Sequence, residues 1–155
     1  AVEGGDPTIL PLPIREQLLD DIVQKIVSEE DRGGVRDNTS IARIADPDLT
    51  SKAIKLIERY IDNDDAIFFL GRLAWQGKMV DSLPLFESIV LNDQRGIYAR
   101  RAALRAILTS GEQDYCTSLW ESLNARKEDF LQQLLSELLE AAYYTHLTLT
   151  TKMRV

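Results

Sequence analysis

The sequence predicts an all-α fold, a stack of antiparallel helical hairpins. Three observations lead there. Apolar residues recur at helical spacing along most of the chain, and the one alternating run, Leu147-Thr148-Leu149-Thr150, is too short to found a sheet and reads as a frayed end. Phe86-Glu87-Ser88-Ile89 returns 34 residues later as Trp120-Glu121-Ser122-Leu123. Gly77 and Gly111, also 34 residues apart, punctuate the chain at equivalent points.

Each element follows in order. Residues 1–13 hold Gly4, Gly5, Pro7, Pro11 and Pro13, and three prolines within seven positions exclude a helix interior, so this stretch reads as an extended lead-in. Pro13 suits the first turn of the helix that follows. Ile14, Leu18, Leu19, Ile22, Val23, Ile26 and Val27 form a stripe with charge between, which predicts an amphipathic helix over 14–30. Arg32-Gly33-Gly34 stops it, and Asn38, Thr39 and Ser40 can cap a short helix over 41–45 that ends before Pro47. Asp48-Leu49-Thr50-Ser51 opens a helix to about Ile61, and Asp62-Asn63-Asp64-Asp65 is a turn whose acids cap a helix over 65–76. Gly77 ends that helix. Further helices are expected at 80–91, 95–109, 113–124 and 127–144, with a tail over 145–155. One helical-repeat domain over 14–144 accounts for all of them.

The repeat is a pair of helices. A shift of 34 carries Leu70, Leu73 and Gly77 onto Leu104, Ile107 and Gly111. The same shift carries Ser82, Leu85, Phe86, Glu87 and Ile89 onto Cys116, Leu119, Trp120, Glu121 and Leu123. A shift of 29 adds an earlier copy, with Ile41 and Ile44 ahead of Ala53, Leu56, Ile57, Glu58 and Tyr60. Residues i, i+3, i+4 and i+7 share one helix face. The small residue at the first of these lets a neighbouring helix approach, and the Leu and bulky pair fills the seam, so Trp120 is expected to be buried. One such hairpin cannot bury its own apolar face, whereas stacked copies can.

Here the chain resembles a family. Leu91-Asn92-Asp93 followed by Ala99-Arg100-Arg101-Ala102-Ala103-Leu104-Arg105-Ala106-Ile107 resembles the first helix of a HEAT-type repeat, with an Asp ahead, an Arg, then an Ala-Ala-Leu core. The resemblance is best over 64–125 and weak before 40. Leu70-Gly71, Gly77 and Ser82-Leu83-x-x-Phe86-Glu87 are similar to the rival tetratricopeptide pattern, with one residue missing between the helices. That rival is weakened by Arg105, where its family favours Gly, and by the lack of a Pro ending either unit. Either resemblance implies an α-solenoid, for HEAT-like chains a right-handed α-α superhelix, that binds proteins or acts as a spacer within a larger chain.

Composition narrows the function. Cys116 is the sole cysteine, so an internal disulfide is excluded, which suits a reducing, cytoplasmic setting. Asn38-Thr39-Ser40 spells a glycosylation acceptor, a triplet that arises readily by chance. No apolar run reaches the roughly 18 residues a membrane span needs. The chain opens Ala1-Val2-Glu3 without a Met and is read as a piece of a larger intracellular protein. Of the net charge of −7, all is carried by residues 1–65, while residues 66–155 balance to zero. An acidic half repels a polyanion and disfavours nucleic acid as a partner of the whole domain.

Chemistry is poorly supplied. His146, the single histidine, has no neighbour at metal-ligand spacing, and Cys116 occupies the small slot shared with Ala53 and Ser82, so it reads as a packed filler. Asp20-Asp21, Glu29-Glu30-Asp31 and the acids of 62–65 fit solvation and capping. Gly33-Gly34 between Arg32 and Arg36 lacks the Lys-Ser/Thr of a nucleotide loop. No enzyme, cofactor or metal is expected.

Binding has better candidates. Second helices of stacked hairpins would line a concave face, presenting Lys52, Lys55, Arg59, Asp81, Pro84, Ser88 and Thr117 to a protein partner. Trp75 lacks an aromatic counterpart in the next copy, where Thr109 stands, and could serve as an exposed anchor. Arg95, Arg100, Arg101 and Arg105 cluster on one helix, with Arg101 and Arg105 on one face and Arg100 a step aside. They offer an anion or nucleic-acid stripe, as in the DNA-repair glycosylases among HEAT-like folds; the competing reading is ion pairs with Glu87 and Glu121. Phe130, Leu131, Leu134, Leu135, Leu138, Leu139 and Ala142 make a wide stripe on the helix expected over 127–144, suited to capping the stack or to self-association. The expected function is a non-enzymatic interaction or scaffold segment. Alternatives are a helical sensor or spacer of a large nucleotide-switch ATPase and a nucleic-acid-binding domain acting through the Arg-rich helix.

Overall fold

The computed structural model describes residues 10–28, 38–110 and 112–126. The described residues form seven α-helices and no strand: α1 (Leu12–Val27), α2 (Asn38–Ala42), α3 (Thr50–Arg59), α4 (Asp64–Gly77), α5 (Leu83–Val90), α6 (Ile97–Ser110) and α7 (Gln113–Asn124). Short 3₁₀ turns at Pro47–Leu49 and Val80–Ser82 lead directly into α3 and α5. The helix expected over 127–144, the Gly33-Gly34 loop and His146 lie outside the described residues.

Helix α1 begins at Leu12, two residues earlier than expected, with Pro13 in its first turn. Its buried line also differs from the expected stripe. Ile14 is 49% exposed, while Arg15 is 3% exposed and continues the line of Leu19, Val23 and Ile26. An arginine can hold that position because its charge is met. Arg15 donates from Nη1 and Nη2 to both Asp48 carboxylate oxygens at 2.6 and 2.7 Å, and from Nε to the Leu10 carbonyl. This bidentate pair braces α1 against the 3₁₀ turn before α3. The hydrogen bond from Arg15 holds the Asp48 carboxyl below the usual carboxylate range, and the same bond raises Arg15.

Helix α4 lies at the centre. It packs against α1, α2 and α3 on one side and most extensively against α6, which in turn takes α5; α7 touches α5 and α6. Its start is fixed by Asn63, whose side-chain oxygen accepts from the Ala66 N–H at 3.0 Å, with Asp64 and Asp65 in the first turn where the helix dipole favours acids. At its end the expectation for Gly77 is corrected. Gly77 is the last helical residue, and Lys78 takes the left-handed conformation, with φ of 52°. Room is tight at Gly77: a Cβ there would meet the flexible end of Met79 (Cε) at 2.8 Å and the Asp46 backbone nitrogen at 3.1 Å.

Helices α4 and α6 approach closely at Gly71. A Cβ on Gly71 would lie 2.9 Å from Ala102 Cβ and 3.0 and 3.1 Å from the Ala102 carbonyl carbon and oxygen. The missing side chain is what lets α4 and α6 lie so close.

Positions equated by the internal repeat are buried in common in the first helices: Ile41, Leu70 and Leu104 form one set, Ile44, Leu73 and Ile107 the other. In the second helices the match is looser. Ala53 and Ser82 are buried while Cys116 is half-buried. Ile57 and Phe86 are buried where Trp120 is partly buried, and Leu56 and Leu119 are buried where Leu85 is partly buried. Trp120 therefore sits at the margin of the core, while the equated Ile89 and Leu123 are buried in both helices.

Candidate functional site

The tight approach of α4 and α6 leaves a shallow groove on their outer side, of about 260 Å³. Phe68, Arg72 and Trp75 line it from α4 at i, i+4 and i+7, and Tyr98, Arg101, Ala102 and Arg105 line it from α6 at i, i+3, i+4 and i+7. Both sets follow the helical repeat, on a different face from the Leu70–Leu73 and Leu104–Ile107 stripes that fill the core. Ala102, the partner of Gly71 at the crossing, lies low between longer side chains.

Rings and guanidinium groups alternate along this groove. Phe68 and Tyr98 meet edge to face with centroids 6.2 Å apart and planes at 66°. The Arg72 guanidinium carbon lies 5.3 Å from the Phe68 ring centroid, and that of Arg105 lies 4.9 Å from the Trp75 ring centroid. Each cation–π contact at such a solvated place contributes about 0.5–1 kcal/mol. A guanidinium lying over a ring uses its face there, while its N–H groups radiate in its own plane and suit carboxylate or phosphate. Tyr98 is 65% exposed, the largest exposure among the big apolar and aromatic residues described. No carboxylate occurs among the described residues that line the groove.

The predicted arginine stripe divides. Arg101 and Arg105 reach the groove, as their shared face implied. Arg95 does not: it pairs with Asp64 at 3.2 Å and Asp62 at 3.9 Å, tying the start of α6 to the start of α4. Arg100 is fully buried, and its Nε donates to the Val90 carbonyl at 2.8 Å, closing the last turn of α5. It has no place in a surface stripe. Of the acids considered as their partners, Glu87 instead accepts from the Ser118 hydroxyl at 3.4 Å.

Trp75 is partly buried beneath Arg105 and belongs to the groove. The other expected partner-binding residues stand elsewhere. Lys52 pairs with Asp20 at 2.8 Å. Lys55, Arg59, Asp81, Pro84, Ser88 and Thr117 are exposed, with Arg59 over the Tyr60 ring and the Ser88 hydroxyl donating to the Leu85 carbonyl. None of these lines the groove, which is built from first helices of the repeat and not from second ones. Phe68, Arg72 and Tyr98 were missed by sequence reasoning. The signal was present as a second stripe at helical spacing on two helices, made of rings and arginines in place of aliphatics.

Other chemistry is weakly provided. Cys116 is half-buried with Sγ 3.9 Å from the Ile107 carbonyl, and burial first, then Glu112, pushes its thiol pKa up, which disfavours the nucleophilic thiolate. Among the described residues no three His, Cys, Asp or Glu side chains gather to hold a metal ion. No described helix is long and apolar enough to cross a membrane. Comparison with known protein families, curated proteins and solved structures finds no match. The groove's own geometry is therefore the basis for a functional reading.

Proposed function

We propose that this chain is a non-enzymatic protein-interaction segment, a stack of helical hairpins that presents the α4–α6 groove to a partner. The observation that carries the reading is Arg105 over Trp75 beside the exposed Tyr98, an arrangement of Trp, Tyr and Arg at the surface. These three residue types dominate binding energy at protein interfaces. Support for the stack comes from α2, α4 and α6 packing in succession and from the shared burial of their equivalent residues. The working surface in this reading is the row of first helices; the second helices contribute the opposite side. The rings and guanidinium groups are already held by one another, which lowers the ordering cost of binding.

A photo-crosslinking amino acid placed at Tyr98 tests this in a homogenate of the source cells, with the same probe at Ser88 on α5 as comparison. The reading expects a discrete adduct from position 98, competed by excess unmodified chain and abolished by Arg105→Glu. Adducts only from position 88, or none that the unmodified chain competes, would reject it.

A further inference from the structure

We draw no further inference here: the strongest candidate, the chemistry of an occupant for the groove between α4 and α6 walled by Phe68, Trp75 and Tyr98, belongs to the site already described, and nothing in the structure shows what covers it.

Discussion

Substituting Gly71 by Ala adds one methyl group where α4 and α6 approach closely. Two effects oppose each other. Alanine is the better helix former by about 0.8–1.0 kcal/mol, so in open space the variant would be more stable. The new methyl, however, lies 2.9–3.1 Å from Ala102 Cβ, carbonyl carbon and carbonyl oxygen, where ordinary carbon contacts are near 3.5–4.0 Å. Two of those three atoms are backbone, so relief requires the helices to move apart by about half an ångström along the most extensive contact in the fold. Overpacking of this kind costs about 1–3 kcal/mol, and the rigid backbone neighbours place this case in the upper part of that range. The net expectation is a loss of about 1–2 kcal/mol, or about 2–8 °C in Tm for a chain of this size. Thermal and urea melts followed by circular dichroism measure it. Combining Gly71→Ala with Ala102→Gly removes only the methyl–methyl contact, so the double variant should show a favourable coupling without full recovery. A gain of about 1 kcal/mol from Gly71→Ala would refute the reasoning, since it would mean the helix-forming preference acts with no packing penalty.

Three further outcomes follow from the described contacts. Asp48→Asn should cost about 1–2 kcal/mol at neutral pH, judged by urea titration, because it removes a bidentate partner from buried Arg15 at a half-exposed site. The Asp48 carboxyl is held below its usual value in the folded chain, so its contribution is present above about pH 4 and lost as the pH falls further; the variant should lack that part of the acid-limb slope. Arg100→Ala should cost about 3 kcal/mol, through lost packing and an unpaired Val90 carbonyl, whereas Arg101→Ala next to it should stay within about 0.5 kcal/mol in the same titration. Lys78→Gly should stabilise by about 0.5–1 kcal/mol, seen as a raised Tm, since it relieves a left-handed backbone at an exposed helix end.

Much of the fold was legible because helix punctuation is local. Gln113–Asn124 falls where periodicity placed it, and Asp64–Gly77 extends the expected helix by one residue at each end, set by the Asn63 cap and the chain reversal at Lys78. The helices expected from 48 and 80 open as 3₁₀ turns, a distinction of hydrogen-bond pattern that apolar spacing does not carry. Two arginines were readable in a way that residue type obscured. Arg15 stands four residues before Leu19, and Arg100 stands four before Leu104 and seven before Ile107, so periodicity alone puts both in buried lines. What charge seemed to forbid, the Asp48 carboxylate and the Val90 carbonyl make acceptable. The groove was half legible. Arg101, Arg105 and Trp75 could be singled out within their own helices, but their meeting with Phe68, Arg72 and Tyr98 depends on Gly71 admitting Ala102, an approach between residues 31 positions apart. The outward-facing Lys, Arg and Ser residues of the second helices were chosen from register, which places side chains on a face without telling whether that face forms a cavity.

The most direct measurement of the central claim is a two-dimensional NMR titration of the full chain with the partner captured through position 98, following the Trp75 indole and Arg105 side-chain N–H signals together with the backbone amides. The account expects progressive shifts at Phe68, Arg72, Trp75, Tyr98, Arg101 and Arg105, with the Trp120 indole unmoved. Shifts confined to Lys55, Arg59, Ser88 and Thr117 on the second helices, or no shift at Trp75 and Arg105 when the partner is in excess, would contradict it.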